Sequence, residues 1–90
     1  MSYTRVEEAR SALERNRIRG TYQAVAEYAG IRTQRVHTFL GNRRPAASWV
    51  VNNKTLAPHN YLPANCASDL YDDPRVLGTA EEIAELVGAH

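Results

Sequence analysis

Two short apolar patterns on either side of a glycine, within residues 21–40, constrain the fold of this 90-residue chain more than any other feature. The apolar residues recur at helical spacing: Val25, Ala26, Ala29, Val36, Phe39 and Leu40. Gly30 supplies the positive φ that a tight turn needs, and Ile31 follows as an apolar plug between the helices. The pattern predicts a helix-turn-helix with Thr21 as N-cap, a first helix to about residue 29 and a second over 33–40.

The flanking segments predict two further helices. The first covers residues 3–16, and its apolar face consists of Val6, Ala9 and Leu13. The last covers about 80–88 and is opened by a capping box of Thr79 and Glu82. Its apolar stripe favours packing in the core over a dimer seam.

The segment between these helices predicts a β-hairpin. Gly41-Asn42 ends the preceding helix, since both residues suit the αL conformation. A β-forming run from Ser48, a turn-like stretch and a return strand from Leu56 predict a hairpin over about 48–57, the wing of a winged helix. Residues 58–73 are predicted to be irregular, with apolar anchors that include Leu62, Leu70 and Tyr71.

The predicted fold is therefore mainly α: a small winged helix-turn-helix with three N-terminal helices, a hairpin and a C-terminal helix, in one domain over residues 1–90. The single cysteine, Cys66, allows no internal disulfide. No apolar run approaches the roughly 20 residues of a membrane helix, and no signal peptide is visible. These features predict a cytoplasmic, nucleoid-associated protein with no membrane partner.

Charge is divided unevenly along the chain. Residues 1–45 carry nine arginines and four acids, a balance of +5, whereas residues 46–90 carry two cations and six acids, a balance of −4. Arginine grips phosphate bidentately, and the basic half contains the helix-turn-helix. The coincidence predicts a surface that binds double-stranded DNA, with the acidic half facing away from DNA or meeting a protein partner.

Two known families resemble parts of the chain. Thr21, the run Val25–Gly30, Gln34 and Val36 resemble the DNA-reading element of the lactose-repressor family over about 20 residues. The runs Thr21–Ala26 and Val50–Asn52 resemble the C-terminal domain of O6-alkylguanine DNA alkyltransferases and alkyltransferase-like proteins, over about residues 3–62. The second resemblance implies a helical DNA-binding domain in which a recognition helix precedes an active-site strand.

The chain departs from the alkyltransferase pattern at the residues that perform the chemistry. The family's nucleophilic cysteine precedes the Val-Val pair, and Ala47 occupies its place here. Trp49 stands in the place of the family's arginine, and Gln34 aligns with the arginine that the family inserts into the base stack, with Arg35 adjacent. The resemblance therefore implies the fold and not alkyl transfer, and we predict that the protein is not an enzyme.

The helix predicted over 33–40 has an apolar face and a polar face. If its apolar residues face the core, the candidates for contact with base edges are Thr33, Gln34, Arg35, His37 and Thr38. The candidates for contact with phosphates are Arg32, Arg43, Arg44, Asn53 and Lys54. The alternative is that these polar side chains are simply solvated.

Other chemistry is weakly indicated. Cys66 lacks charged near neighbours that would stabilise a thiolate, and His59, Cys66 and Asp69 match no common zinc spacing, so we predict no metal and no cofactor. Trp49 is predicted to pack the strand against the helices. The leading hypothesis is a small transcriptional regulator. A sensor of damaged or modified bases, a protein-interaction module and a homodimer stay open as alternatives.

Overall fold

The computed structural model describes residues 2–41, 44–58 and 61–88. The elements follow in the order α1 (Ser2–Asn16), β1 (Arg19–Thr21), α2 (Tyr22–Ala29), α3 (Thr33–Leu40), β2 (Val50–Val51), β3 (Val76–Leu77) and α4 (Ala80–Gly88), with short 3-10 turns at Pro45–Ala47 and Pro63–Asn65. This confirms a small, mainly helical fold with short strands. None of the described helices has the length and apolar character needed to cross a bilayer.

The helix-turn-helix forms as its sequence predicts. Thr21 caps α2, because its Oγ1 accepts a hydrogen bond from the backbone N–H of Ala24 at 3.0 Å. Gly30 ends α2 in the left-handed conformation, with φ 72° and ψ 34°. The N–H of Ile31 then donates to the carbonyl of Ala26 at 3.0 Å, which closes the turn, and the Ile31 side chain packs against the core. Gly41 is the C-cap residue of α3, and its φ of 72° and ψ of −137° lie outside the predicted αL region. Asn42, the second residue predicted to end the helix, lies outside the described residues.

The strands form one three-stranded parallel sheet in the order β2-β1-β3. The predicted hairpin over 48–57 is wrong: β2 pairs in parallel with β1, and the N–H of Gly20 donates to the carbonyl of Trp49 at 2.9 Å. The following stretch closes on itself as a loop, since the N–H of Asn52 donates to the carbonyl of Ala57 at 2.9 Å. No return strand therefore forms between residues 52 and 57, and we call this segment the β2 loop.

Gly20 allows β1 to pass close to the helices. A Cβ at this position would lie 3.0 Å from both δ-methyl groups of Leu13 in α1 and 3.1 Å from Cδ1 of Ile83 in α4. Both side chains are fully buried. The strand can reach its place in the centre of the sheet because residue 20 has no side chain.

The core joins all four helices to the sheet. The predicted apolar residues of α1, which are Val6, Ala9 and Leu13, are buried, and so is Trp49, which immediately precedes β2. Ile83 is buried and Leu86 and Val87 pack against the core, which confirms that the stripe of α4 is a core face. At the start of α4, Oγ1 of Thr79 accepts from the N–H of Glu82 at 3.2 Å, as expected for a capping box.

The anchors predicted in the irregular segment are only partly correct. Leu70 is buried in the core, whereas Leu62 and Tyr71 are 68% and 57% exposed. The Tyr71 ring packs outside the core, where the guanidinium of Arg19 lies 4.9 Å from the ring centroid. An aromatic side chain that covers a buried cation in this way need not enter the apolar core.

Candidate nucleic-acid interface

The helix α3 presents one apolar face and one polar face. Val36 and Leu40 are buried and Phe39 is half-buried, so the helix is fixed in rotation about its axis. The side chains that this arrangement exposes are the five that the sequence assigns to base contact: Thr33, Gln34, Arg35, His37 and Thr38. The structure therefore brings these residues together on one solvent-accessible surface, which we call the α3 face.

The β2 loop lies beside the N-terminal half of α3. A cleft of ≈ 160 Å³ separates them, and its lining residues are Tyr22, Gln23, Thr33, His37, Asn52 and Asn53. His37 packs against Tyr22, with 4.2 Å between the ring centroids and 34° between the ring planes. The cleft therefore joins the first turn of α2 and the N-terminal half of α3 to the loop, and its lining is rich in hydrogen-bonding side chains.

A second groove runs past the turn between α2 and α3. It has a volume of ≈ 400 Å³ and is lined by Ile31, Arg32 and Arg35. The guanidinium of Arg35 lies over the ring of Phe39, 5.4 Å from its centroid. Both arginines are exposed, so they place positive charge along this side of α3.

The candidate phosphate contacts lie on the segments just before and after α3 in the chain and on the β2 loop. Arg32 is the N-cap residue of α3 and makes no side-chain capping bond. Arg44 precedes the 3-10 turn at Pro45–Ala47, and both Asn53 and Lys54 are exposed on the β2 loop. The loop is ordered by its own hydrogen bond, in which the N–H of Lys54 donates to Oδ1 of Asn52 at 2.8 Å. Arg43 lies outside the described residues.

Several arginines of the basic half hold the fold together, which the charge count alone did not indicate. Arg10 pairs with Glu7 at 2.8 Å and with Glu14 at 3.0 Å, and the hydrogen bond to Glu7 is the main cause that raises its pKa. Its Nη1 also donates to the carbonyl of Ala46 at 3.1 Å. Arg19 is only 6% exposed. Arg10 and Arg19 are therefore engaged within the fold and are not free to contact a ligand.

The distribution of acidic residues along the chain indicates a binding surface more clearly than the net charge of the basic half does. The ten carboxylate residues all lie in residues 1–27 and 69–90, so residues 28–68 contain none. That interval contains α3, β2 and the β2 loop, together with every residue proposed for base or phosphate contact. A polyanion that approached this surface would meet cations and polar groups without a side-chain carboxylate from the same segment.

The residues considered as a nucleophile or for base stacking are buried or hydrogen-bonded within the fold. Burial raises the pKa of the Cys66 thiol, which lowers its thiolate fraction. Ala47 is fully buried, and Oγ of the buried Ser48 donates to the carbonyl of Pro45 at 2.6 Å and accepts from the N–H of Ala67 at 3.0 Å. Trp49 is buried, as predicted, so its ring faces the core and not a base. His59, considered as a metal ligand, lies outside the described residues.

Comparisons with known proteins identify no family for this chain and no function for this surface. No family model, no curated protein and no solved structure matches the chain. The functional assignment therefore depends on the α3 face, on the cations around it and on the absence of carboxylates from residues 28–68.

Proposed function

We propose that this protein binds double-stranded DNA without catalysing a reaction and acts as a small transcriptional regulator. The observation that carries the proposal is the exposed polar α3 face in a segment of 41 residues that contains no carboxylate. A major groove about 12 Å wide admits an α-helix, and a polar helix face is what reads base edges there.

In the proposed complex, the N-terminal part of α3 enters the major groove. Gln34 pairs with adenine and Arg35 with guanine, because an amide and a guanidinium match the donor and acceptor patterns of these bases. His37 and Thr38 lie further along the same face. Arg32 precedes the helix and contacts a phosphate, where it sets the position of α3 without reading sequence.

The β2 loop takes the place of a wing. It lies across a narrow cleft from α3, and it carries Asn53 and Lys54 in exposed positions. Because a loop at this distance can touch the strand that flanks the groove, we assign both residues to backbone contacts. Arg44 and Arg43 would contact the same backbone from the segment that follows α3.

The proposal excludes alkyl transfer, since a buried alanine occupies the place of the nucleophile and the only thiol has a raised pKa. Incubation with duplex DNA that carries a labelled methyl group on guanine should leave the protein unlabelled. Label recovered on Cys66 would overturn this part of the proposal. Stronger binding to the methylated duplex than to the plain one would favour a sensor of modified bases.

A protein-interaction module is a second candidate, because Leu62 and Tyr71 are exposed in the acidic half.

Fluorescence anisotropy on a random duplex pool at two salt concentrations, with sequencing of the bound fraction, separates DNA binding from a protein-interaction role. We expect steep salt dependence and an enriched sequence motif. Arg35→Ala should weaken binding, whereas Arg15→Ala, which removes the same charge beside Val87 of α4, should change it little. Absence of binding at low salt would refute the DNA proposal and favour a protein partner.

A further inference from the structure

Arg35 and Phe39 form an ordered pair on α3. They are four positions apart, so they lie one turn from each other on the same side of the helix. Helical side chains lean toward the N-terminus, which brings the Phe39 ring back under Arg35. The guanidinium lies 5.4 Å from the ring centroid, within the distance of a cation–π contact.

The contact with Phe39 restrains a side chain that makes no ion pair with the described residues. The ion pairs found among the described residues involve Arg10, Arg17 and Arg75, and none involves Arg35. Arg35 is exposed, whereas Phe39 is half-buried and packed against the core. A ring fixed by the core therefore restricts a long side chain that would otherwise sample many rotamers.

We propose that Phe39 is a positioning residue, which holds the guanidinium of Arg35 ready to pair with guanine. This inference rests on the proposed function, and it adds that the recognised DNA has guanine at one fixed position. The ring supports the guanidinium and leaves donors on its outer edge free for O6 and N7 of guanine.

Guanine is the expected partner because of where Arg35 lies. It is the third residue of α3, in the N-terminal part of the helix that approaches base edges in this motif. Arg32 lines the same groove from outside the helix, so its expected partner is the backbone. The planar fork of Arg35 can pair with two acceptors at once in a fixed geometry.

The test compares variants of this pair. A motif is first selected from a random pool with the unchanged protein, and duplexes with guanine or adenine at each position then compete for each variant. Arg35→Ala removes the guanidinium and should reduce the guanine preference about 5- to 150-fold at one position. Phe39→Leu keeps an apolar side chain but removes the ring, and it should reduce the preference at that same position about 2- to 5-fold. Phe39→Tyr keeps the ring and should restore it.

The outcomes separate this inference from the proposed function. If no duplex binds, the proposed function fails. If a motif is selected but Arg35→Ala alters no guanine preference, or if Phe39→Leu leaves that preference unchanged, DNA binding stands and the positioning role is wrong. Circular dichroism melting confirms that each variant is folded. A loss of affinity for all duplexes without a change in base preference would show that Phe39 acts only on stability, which also overturns the inference.

Discussion

Arg19 and Leu56 are joined by a hydrogen bond in which Nη1 of the buried arginine donates to the leucine carbonyl at 2.9 Å. The same guanidinium donates through Nη2 to the carbonyl of Asp73 at 3.2 Å and lies under the ring of Tyr71. Leu56 has a positive φ of 57°, which is unfavourable for a leucine. The buried cation therefore holds the β2 loop in a strained turn and ties it to the segment before β3.

The first prediction concerns this link. Arg19→Ala leaves two carbonyls without their charged donor, so it should lower the free energy of unfolding by about 2–3 kcal/mol. Urea denaturation followed by circular dichroism measures the change. Arg15→Ala removes an arginine of α1 that is exposed, and it should cost less than about 0.5 kcal/mol. Equal effects of the two variants would contradict a special role for the buried guanidinium.

The second prediction concerns the close approach of β1 to the helices. Gly20→Ala brings a methyl group to 3.0 Å from Leu13 and 3.1 Å from Ile83, and both side chains are fully buried. We expect a loss of about 1–3 kcal/mol, as for other overpacked cores. Gly78→Ala is the matched control, since nothing lies within 4 Å of the added carbon. A neutral Gly20→Ala would mean that Leu13 and Ile83 readjust freely.

The helices were predictable because their signals are local. Thr21, Gly30 and the apolar periodicity around them each specify a cap, a turn or a face within a few residues. The parallel sheet was not predictable in the same way, because its strands are two or three residues long and pair across 30 or more positions, as Gly20 does with Val50. A run such as Val50-Val51 indicates a strand but not its partner, and the turn-like residues after it suggested a hairpin.

In the candidate site, too, the features set by local sequence were predictable and those set by tertiary contacts were not. The helical period of α3 predicts which side chains are exposed, and Gln34 and Arg35 are indeed on the solvent face. The roles of the other arginines depend on tertiary contacts that composition cannot show. Arg10 and Arg19 contribute to the positive charge of the basic half, yet their side chains are used within the fold. Arg10 donates to the backbone carbonyl of Ala46, and Arg19 donates to that of Leu56.

The third prediction concerns acid stability. Arg75 donates to Asp73 through its side chain at 2.7 Å and through its backbone N–H, which lowers the pKa of Asp73 from 3.8 to about 2. A lowered pKa in the folded state contributes stability that is present above about pH 4 and is lost as the pH falls toward 2. Arg75→Ala removes the larger cause, so the pKa should rise toward its ordinary value and stability should fall less steeply over that range. Carboxyl NMR titration measures the pKa directly, and an unchanged value would refute the pairing.

The last prediction concerns the phosphate contacts. Arg44 is exposed on the segment that follows α3, and Lys54 is exposed on the β2 loop. Each phosphate that a cation neutralises releases counterions. Arg44→Ala with Lys54→Ala should weaken binding to all duplexes alike and flatten the plot of log affinity against log salt by about one to two units. Arg15→Ala with Arg75→Ala lowers the net charge equally and should leave the slope unchanged, because these residues lie on α1 and beside β3. If both pairs flatten the slope to the same extent, net charge and not the α3 face governs binding.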